Sequence, residues 1–246
     1  MTRINLFQLR LAATAFTLLL MVVVVRLLWY PGGYAATFGV GKFLLITAAV
    51  VLVIGPGLST FVYSPGKSGL LLDMSVLAVV EFAVLIVSLH LLHERRPVYT
   101  IFAVDRFEVL SAGEIDRDAI AYAEILGRPG HEPRLVYARL PTDPEAQREL
   151  FDDVLFNGKA DIDRRPEFWR PYAAGIGAVK SGARPLAALL EHHDPRATDV
   201  RRWLARHARE ASDYIYLPLR GRHKDATMIV HADIGFPVAI LPLDPW

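Results

Sequence analysis

Three long apolar runs, residues 11–30, 43–63 and 70–92, fill most of the first 93 positions of this 246-residue chain. Each is about 20 residues long, the length a helix needs to cross a hydrocarbon core of about 30 Å. In lipid such a run must be helical, because only a helix satisfies every backbone polar group within one segment. From Glu94 onward the composition changes to that of an ordinary folded domain, rich in Arg, Asp and Pro. The chain therefore reads as a three-helix membrane anchor over 1–93 followed by one soluble domain over 94–246. A tail of about 150 residues suffices for one core and leaves little room for a second.

The net charge of +1 argues against a nucleic-acid surface, since the Arg residues of the tail are interspersed with Asp and Glu. Cysteine is absent, which removes disulfides, thiolate metal sites and cysteine nucleophiles without identifying a compartment. Arg3 and Arg10 ahead of an apolar stretch mimic a secretory signal. The stretch is longer than a cleaved h-region, carries Arg26 and ends in the interfacial pair Trp29–Tyr30, so an uncleaved helix is expected.

The connection Ser64-Pro65-Gly66-Lys67-Ser68-Gly69 is short enough to make spans two and three antiparallel neighbours. Lys and Arg are nearly balanced between the two sides. The dominance of the first helix favours a cytoplasmic N-terminus, which places the soluble domain across the membrane, in the periplasm of a Gram-negative cell. Arg26, Asp73 and Glu81 are the membrane-embedded polar residues that call for an account. Asp73 and Glu81 stand about 80° apart on one helix, with Leu77, Val84 and Ser88 in the same stripe, which should face the other spans. Asp73 is expected to reach the interface, Glu81 to be protonated or hydrogen-bonded to a neighbouring helix, and Arg26 to snorkel. A proton or ion relay is the alternative. In span two, Pro56 between Gly55 and Gly57 should kink the helix and leave a packing notch.

In the tail, strands are expected over 98–103 and 107–110 around the turn at Asp105-Arg106, over 134–140, and at the C-terminus over 214–219, 226–231 and 236–241. Helices are expected over 118–126, 144–156 (capped by Asp143), 185–192 and 198–211 (capped by Thr198). Strands at both ends with helices between them predict an α+β domain, its sheet mostly antiparallel and covered on one side by helices.

No catalytic, cofactor-binding or metal-binding constellation is legible. His192-His193-Asp194 lacks ligand spacing and reads as a solvated helix end, while His90 and His93 read as an interfacial anchor. There is no GxSxG elbow, Gly175-Ile176-Gly177-Ala178 lacks phosphate-loop spacing, and Asp152-Asp153 and Asp161/Asp163 read as solvated charge.

Particular strings add to this. Tyr30-Pro31-Gly32-Gly33 follows the first span, Gly55-Pro56-Gly57-Leu58-Ser59-Thr60-Phe61-Val62-Tyr63-Ser64-Pro65-Gly66-Lys67 closes the second, and Arg96-Pro97-Val98-Tyr99 leads into Phe102-Ala103-Val104-Asp105-Arg106-Phe107. In this order and spacing they resemble the type IV pilin accessory proteins of the TfpX/TfpZ type, inner-membrane proteins of Gram-negative bacteria. Two positions depart from that pattern: Val51, where an acidic residue is usual, and Glu81, where Gln is common. The resemblance implies a non-enzymatic, chaperone-like accessory factor with a periplasmic C-terminal domain. It would assist pilin assembly and surface piliation, with type IV pilin, the pilus machinery and the bilayer as partners. No cofactor is implied. A pilin itself is not expected, because Met1–Tyr30 does not show a short basic leader ending in Gly before a single apolar helix with Glu at its fifth position. Asp105, Arg106 and Phe107 at the hairpin are the expected partner contact. A membrane-anchored hydrolase or pilin-modifying enzyme is the alternative, which a cleft with converging titratable groups would favour.

Overall fold

The computed structural model describes residues 2–126, 133–190 and 196–246, in two compact units. One comprises Met1–Trp29 and Gly39–Arg95, the other Tyr30–Phe38 and Arg96–Trp246.

The first unit holds three helices long and apolar enough to cross a membrane: Arg3–Trp29, Val40–Val62 and Leu70–Glu94. At 1.5 Å per residue, their 27, 23 and 25 residues reach about 35–40 Å. The first is α1 (Arg3–Val24) closed by a π-helical segment, Val25–Trp29. The second is α3 (Val40–Leu52), a π-helical segment Val53–Leu58, and α4 (Ser59–Val62). Pro56 lies inside that segment, where its missing N–H and its ring forbid a regular α turn. The widened turn falls at the position where the sequence predicts a kink. The third span is the unbroken α5 (Leu70–Glu94), whose buried residues Glu81, Leu85, Ser88 and Leu92 form one stripe.

The second unit is an α/β domain around one eight-stranded sheet. Its strands are β1 (Pro97–Ala103), β2 (Arg106–Ser111), β3 (Arg134–Ala138), β4 (Trp169–Pro171), β5 (Arg184–Pro185), β6 (Tyr214–Arg220), β7 (Ala226–His231) and β8 (Pro237–Leu241). The order is β4-β3-β1-β2-β6-β7-β8, with β5 added to β6. The sheet is mixed, which corrects the expectation of a mostly antiparallel one. The central β1–β2 hairpin is flanked by parallel neighbours on both sides, β3 on β1 and β6 on β2. The cause is topological: the chain leaves β1–β2 through connections long enough to return in the same direction, over 112–133 to β3 and through the helical middle to β6.

Helices do not cover one face only. Every residue of β1 is buried, as in a strand covered on both sides. Tyr99, Ile101 and Ala103 join Val136, Leu150, Ile162 and Trp169 on one face. Phe102 joins Phe107, Tyr172, Val179, Leu217 and Met228 on the other. A third cluster places Leu186, Val200, Leu204, Tyr214 and Tyr216 against Ile229 of β7.

The helices of this unit are α2 (Tyr34–Thr37), α6 (Ala123–Leu126), α7 (Pro144–Leu155), α8 (Ile176–Gly182) and α9 (Arg196–His207). Asp143 caps α7 as expected, its carboxylate accepting from the Ala146 N–H at 2.9 Å. Thr198 does not cap α9, which already runs from Arg196. The expected helix over 118–126 is a 3-10 turn at Arg117–Ala119 followed by α6, and residues 186–190 are 3-10 helical. The short strands β4 and β5 and helix α8 have no periodic apolar signal and were not expected. His192-His193-Asp194 lies outside the described residues.

The segment after the first span is built into this domain. The Tyr34 hydroxyl is hydrogen-bonded to Thr100 of β1 at 2.8 Å, and the Thr37 carbonyl accepts from the His223 N–H at 2.8 Å. Gly33 also lies close against the sheet, since a Cβ there would lie 2.5 Å from Ile240 of β8. That gives the Tyr30-Pro31-Gly32-Gly33 string a structural reason: a side chain at Gly33 would lift the segment off the sheet.

Candidate functional site

Two polar constellations stand out, one in each unit. The first lies among the spans. Glu81 is buried on α5 and accepts from Thr14 at 2.8 Å and from the Arg10 guanidinium at 2.9 Å, both on α1. Thr14 and Glu81 are each the twelfth residue of their helices, so parallel helices bring them level. Gly55 completes the contact. A Cβ there would lie 2.7 Å from both the Glu81 carboxylate and the Thr14 hydroxyl, so only a glycine lets span two close over the pair. Val51, fully buried, stands one turn before Gly55 on the same face. A further polar contact, Thr47 to Ser88 at 3.2 Å, ties α3 to α5.

The remaining predicted span residues sit apart from this contact. Asp73 pairs with Lys67 of the connecting loop at 2.5 Å, at the end of its helix. Arg26 is exposed within the π-helical end of the first span. Pro56 is buried, its carbonyl accepting from the Thr60 hydroxyl at 2.7 Å, while Gly57 has only an ordinary neighbour, the Leu52 carbonyl, at 3.5 Å. Glu81 and Gly55 are thus brought together; Arg26, Asp73, Pro56 and Gly57 are not part of the contact. Arg10 and Thr14 were missed: Arg10 stands just before the apolar run 11–30, and only the start of the helix at Arg3 brings it inside the span, where a cation needs a partner.

The second constellation is a charged cleft of about 400 Å³ in the α/β domain, lined by Arg106, Glu108, Glu114, Asp161, Asp163, Arg164, Arg220 and Arg222. Strand alternation builds its floor. Phe107 and Val109 of β2 point into one core, so Arg106 and Glu108 point to the opposite face, where Glu108 stands beside Arg220 of β6. The 3-10 turn Ile162–Arg164 supplies Asp163 and Arg164, anchored by Ile162 in the core and by the Trp169 indole donating to the Asp163 carbonyl at 3.1 Å. Arg106 binds Glu108 at 3.0 Å and Asp105 at 3.2 Å. Arg164 binds Glu114 at 3.0 Å, and Ser111 donates to Glu114 through its N–H at 2.9 Å and its hydroxyl at 2.6 Å.

Four guanidiniums and four carboxylates make the cleft neutral when all are ionised. Burial pushes the Glu108 carboxyl above its usual range, and nearby Asp163 adds to this against Arg106 and Arg220. Burial likewise raises Asp163, helped by Asp161 and opposed by Arg164. Glu114 goes the other way. Burial alone would raise it, but the Ser111 hydrogen bonds and Arg164 together hold it below the usual range.

The cleft contains Arg106 of the predicted contact; Asp105 is exposed and pairs with Arg106 but does not line the cleft. Phe107 is removed from that set. It is fully buried, packed on Phe102 and Tyr172, because it occupies the inward position of β2. Asp161 is exposed as expected, whereas Asp163 is 4% exposed and Glu108 6%, so neither is solvated surface charge. Asp153 is also buried, held by Lys159 at 2.9 Å and Arg165 at 3.2 Å. Gly175 ends the 3-10 turn Tyr172–Gly175 and Ile176 through Ala178 begin α8; the short strand β4 does precede this string, contrary to the sequence reading, so what sets it apart from a phosphate loop is its spacing alone. Among the described residues, no group of three or more His, Cys, Asp or Glu side chains is placed to hold a metal ion.

Three apolar spans joined to an α/β domain with a charged cleft define a membrane protein carrying one folded extramembrane domain. Comparison with known proteins narrows this. The chain is 25% identical over 207 residues to the fimbrial assembly protein of serogroup I of Dichelobacter nodosus, covering 82% of this chain and 80% of that one. It is 24% identical, with the same coverage, to the serogroup E1 protein. It is 26% identical over 97 residues to the protein of serogroups C1 and C2, covering 39% of this chain and 74% of that one. No family model and no solved structure matches. The chain is a relative of fimbrial assembly proteins, in agreement with the type IV pilin accessory family that its strings resemble.

Proposed function

We propose that this protein is a non-enzymatic accessory factor in type IV pilus assembly, held in the bacterial inner membrane with its N-terminus in the cytoplasm and its α/β domain in the periplasm. The observation that carries this is the similarity to fimbrial assembly proteins over 207 residues, a length that takes in both spans and domain. Arg3 and Arg10 at the start of the first span favour this orientation over a nearly balanced count of Lys and Arg, and the resemblance to the pilin accessory family supports it. The Arg10–Glu81–Thr14 contact under Gly55 fits a scaffold role better than a relay, because both Glu81 oxygens are occupied by donors. Chaperone-like help to a pilin at the membrane is the activity this supports, with Arg106 of the charged cleft and its exposed neighbour Asp105 as the contact. Deletion of the protein is expected to abolish or sharply reduce surface pili while the membrane level of pilin stays normal. Unchanged piliation in the deletion strain would reject the proposal.

A second reading rests on the cleft itself, where two buried carboxylates with raised pKa converge, as acid–base residues of enzymes do. In that case Glu108 and Asp163 would serve an anchored hydrolase or pilin-modifying enzyme. The variant carrying both Glu108→Gln and Asp163→Asn separates the two. Normal piliation in the stably expressed variant removes the enzyme reading, and loss of a modification on purified pilin would establish it.

A further inference from the structure

Helix α7 turns Leu150 and Asp153 inward yet leaves Phe151, Leu155 and its C-cap residue Phe156 57%, 70% and 79% exposed. Single exposed apolar side chains are ordinary, but three large ones within six positions form a ridge at the end of one helix. Phe151 and Leu155 are neighbours four residues apart on the same side of the helix.

The surroundings of the ridge are acidic. Helix α7 with its cap Asp143 holds five carboxylates and one cation, in a chain whose net charge is +1. Of these, Glu145, Glu149 and Asp152 lie exposed on the outer face of α7, where Arg148 is the opposing charge. The cations beyond the helix, Lys159 and Arg165, are engaged by the buried Asp153 at 2.9 and 3.2 Å. The ridge also stands at the C-terminal end of the helix, the negative pole of its dipole.

We propose that this ridge docks a short amphipathic segment of a partner protein, in which apolar side chains are interleaved with Lys or Arg. Charge complementarity sets the partner's sign, and area sets its size. Three such side chains at these exposures offer about 400 Å², taking 150–250 Å² for a large side chain. That is about half of what one partner contributes to a stable interface, so the ridge is too small to hold a second copy of the chain and fits a short segment. A bilayer is the wrong occupant, because anionic lipid attracts Lys and Arg clusters and repels a rim of carboxylates. No residue lining the charged cleft belongs to the ridge, and the inference stands whether or not the partner is a pilus component.

The test is a photoreactive phenylalanine analogue placed at position 156 of the full chain in its native membrane, irradiated in cells, with the crosslinked peptide sequenced. The expected adduct is to another protein, in a segment carrying apolar residues together with Lys or Arg. The variant with both Glu149→Lys and Asp152→Lys should lower adduct yield about fivefold or more, as expected for loss of two exposed ion pairs. The variant with both Phe151→Ser and Leu155→Ser should lower it as well. These side chains are exposed, so both variants should melt at the wild-type temperature, and Asp152→Lys alone gives the same readout with the least perturbation. An adduct to lipid, to a second copy of the chain or to an acidic segment overturns the proposal. So does the lack of any adduct, or a yield that charge reversal leaves unmoved.

Discussion

Replacing Gly55 by alanine tests how the spans are held together, with Gly57, two residues on in the same π-helical segment, as control. A methyl at Gly55 would intrude to 2.7 Å on both the Glu81 carboxylate and the Thr14 hydroxyl, so the carboxylate must retreat and the Thr14 bond at 2.8 Å breaks. An interhelical hydrogen bond in a membrane protein is worth about 0.6 kcal/mol on average and up to about 1.7. Loosening the Arg10 pair adds to this, because a charge left without its partner among apolar helices is costly. A loss of about 1–3 kcal/mol follows from these two effects. The helix-propensity gain of about 1 kcal/mol on going from glycine to alanine applies to both positions. At Gly57 only that gain operates, because the nearest atom would be an ordinary 3.5 Å away. The measurement is unfolding of the purified protein in mixed micelles, where Gly55→Ala should fall about 1–3 kcal/mol below Gly57→Ala. In a background carrying both Glu81→Ala and Thr14→Ala the gap should close to under about 0.5 kcal/mol, since both groups being displaced are gone. Equal stability of the two alanine variants in the wild-type background would refute the reasoning.

Other outcomes follow from the α/β domain. Val104, at the exposed tip of the β1–β2 hairpin, has φ +56°, a left-handed conformation that costs an L-residue about 1–2 kcal/mol. Val104→Gly should raise the melting temperature of the domain by a few degrees by calorimetry, net of the entropy glycine brings to the unfolded chain; a lower temperature would contradict this. Ala208, at φ +47° just past α9, occupies the position where glycine ends a helix, with the Arg209 N–H bonded to the Leu204 carbonyl at 3.2 Å. Ala208→Gly should stabilise by about 0.5–1 kcal/mol in urea titrations. For pH, the folded-state pKa values of Glu108 and Asp163 lie above their unfolded values. The folded state then binds more protons between the two values, so these groups make stability fall as pH rises from about 4 through their folded pKa. Glu114, held low, does the reverse: its contribution is present above its unfolded pKa and is lost as the pH drops through its folded value. Urea midpoints across pH 4–8 should therefore decline less in the variant combining Glu108→Gln with Asp163→Asn than in the wild type. An unchanged slope would show that burial does not raise the two carboxyls.

What the sequence determined by itself was set by local chemistry. Apolar runs of about 20 residues must be helices in lipid, Pro56 must break its helix, Asp143 must cap α7, and alternating residues around Asp105 make a hairpin. Each depends on neighbours close along the chain. Tertiary structure decided the rest, because the partners are remote. Glu81 meets Arg10 across 71 positions, and Glu108 meets Arg220 across β2–β6. The same distance hid the parallel strand pairs, since nothing local in a strand states which partner it will choose. It also hid the burial of Asp163, which looks solvated in a charged stretch until Ile162 and Trp169 draw its turn into the core.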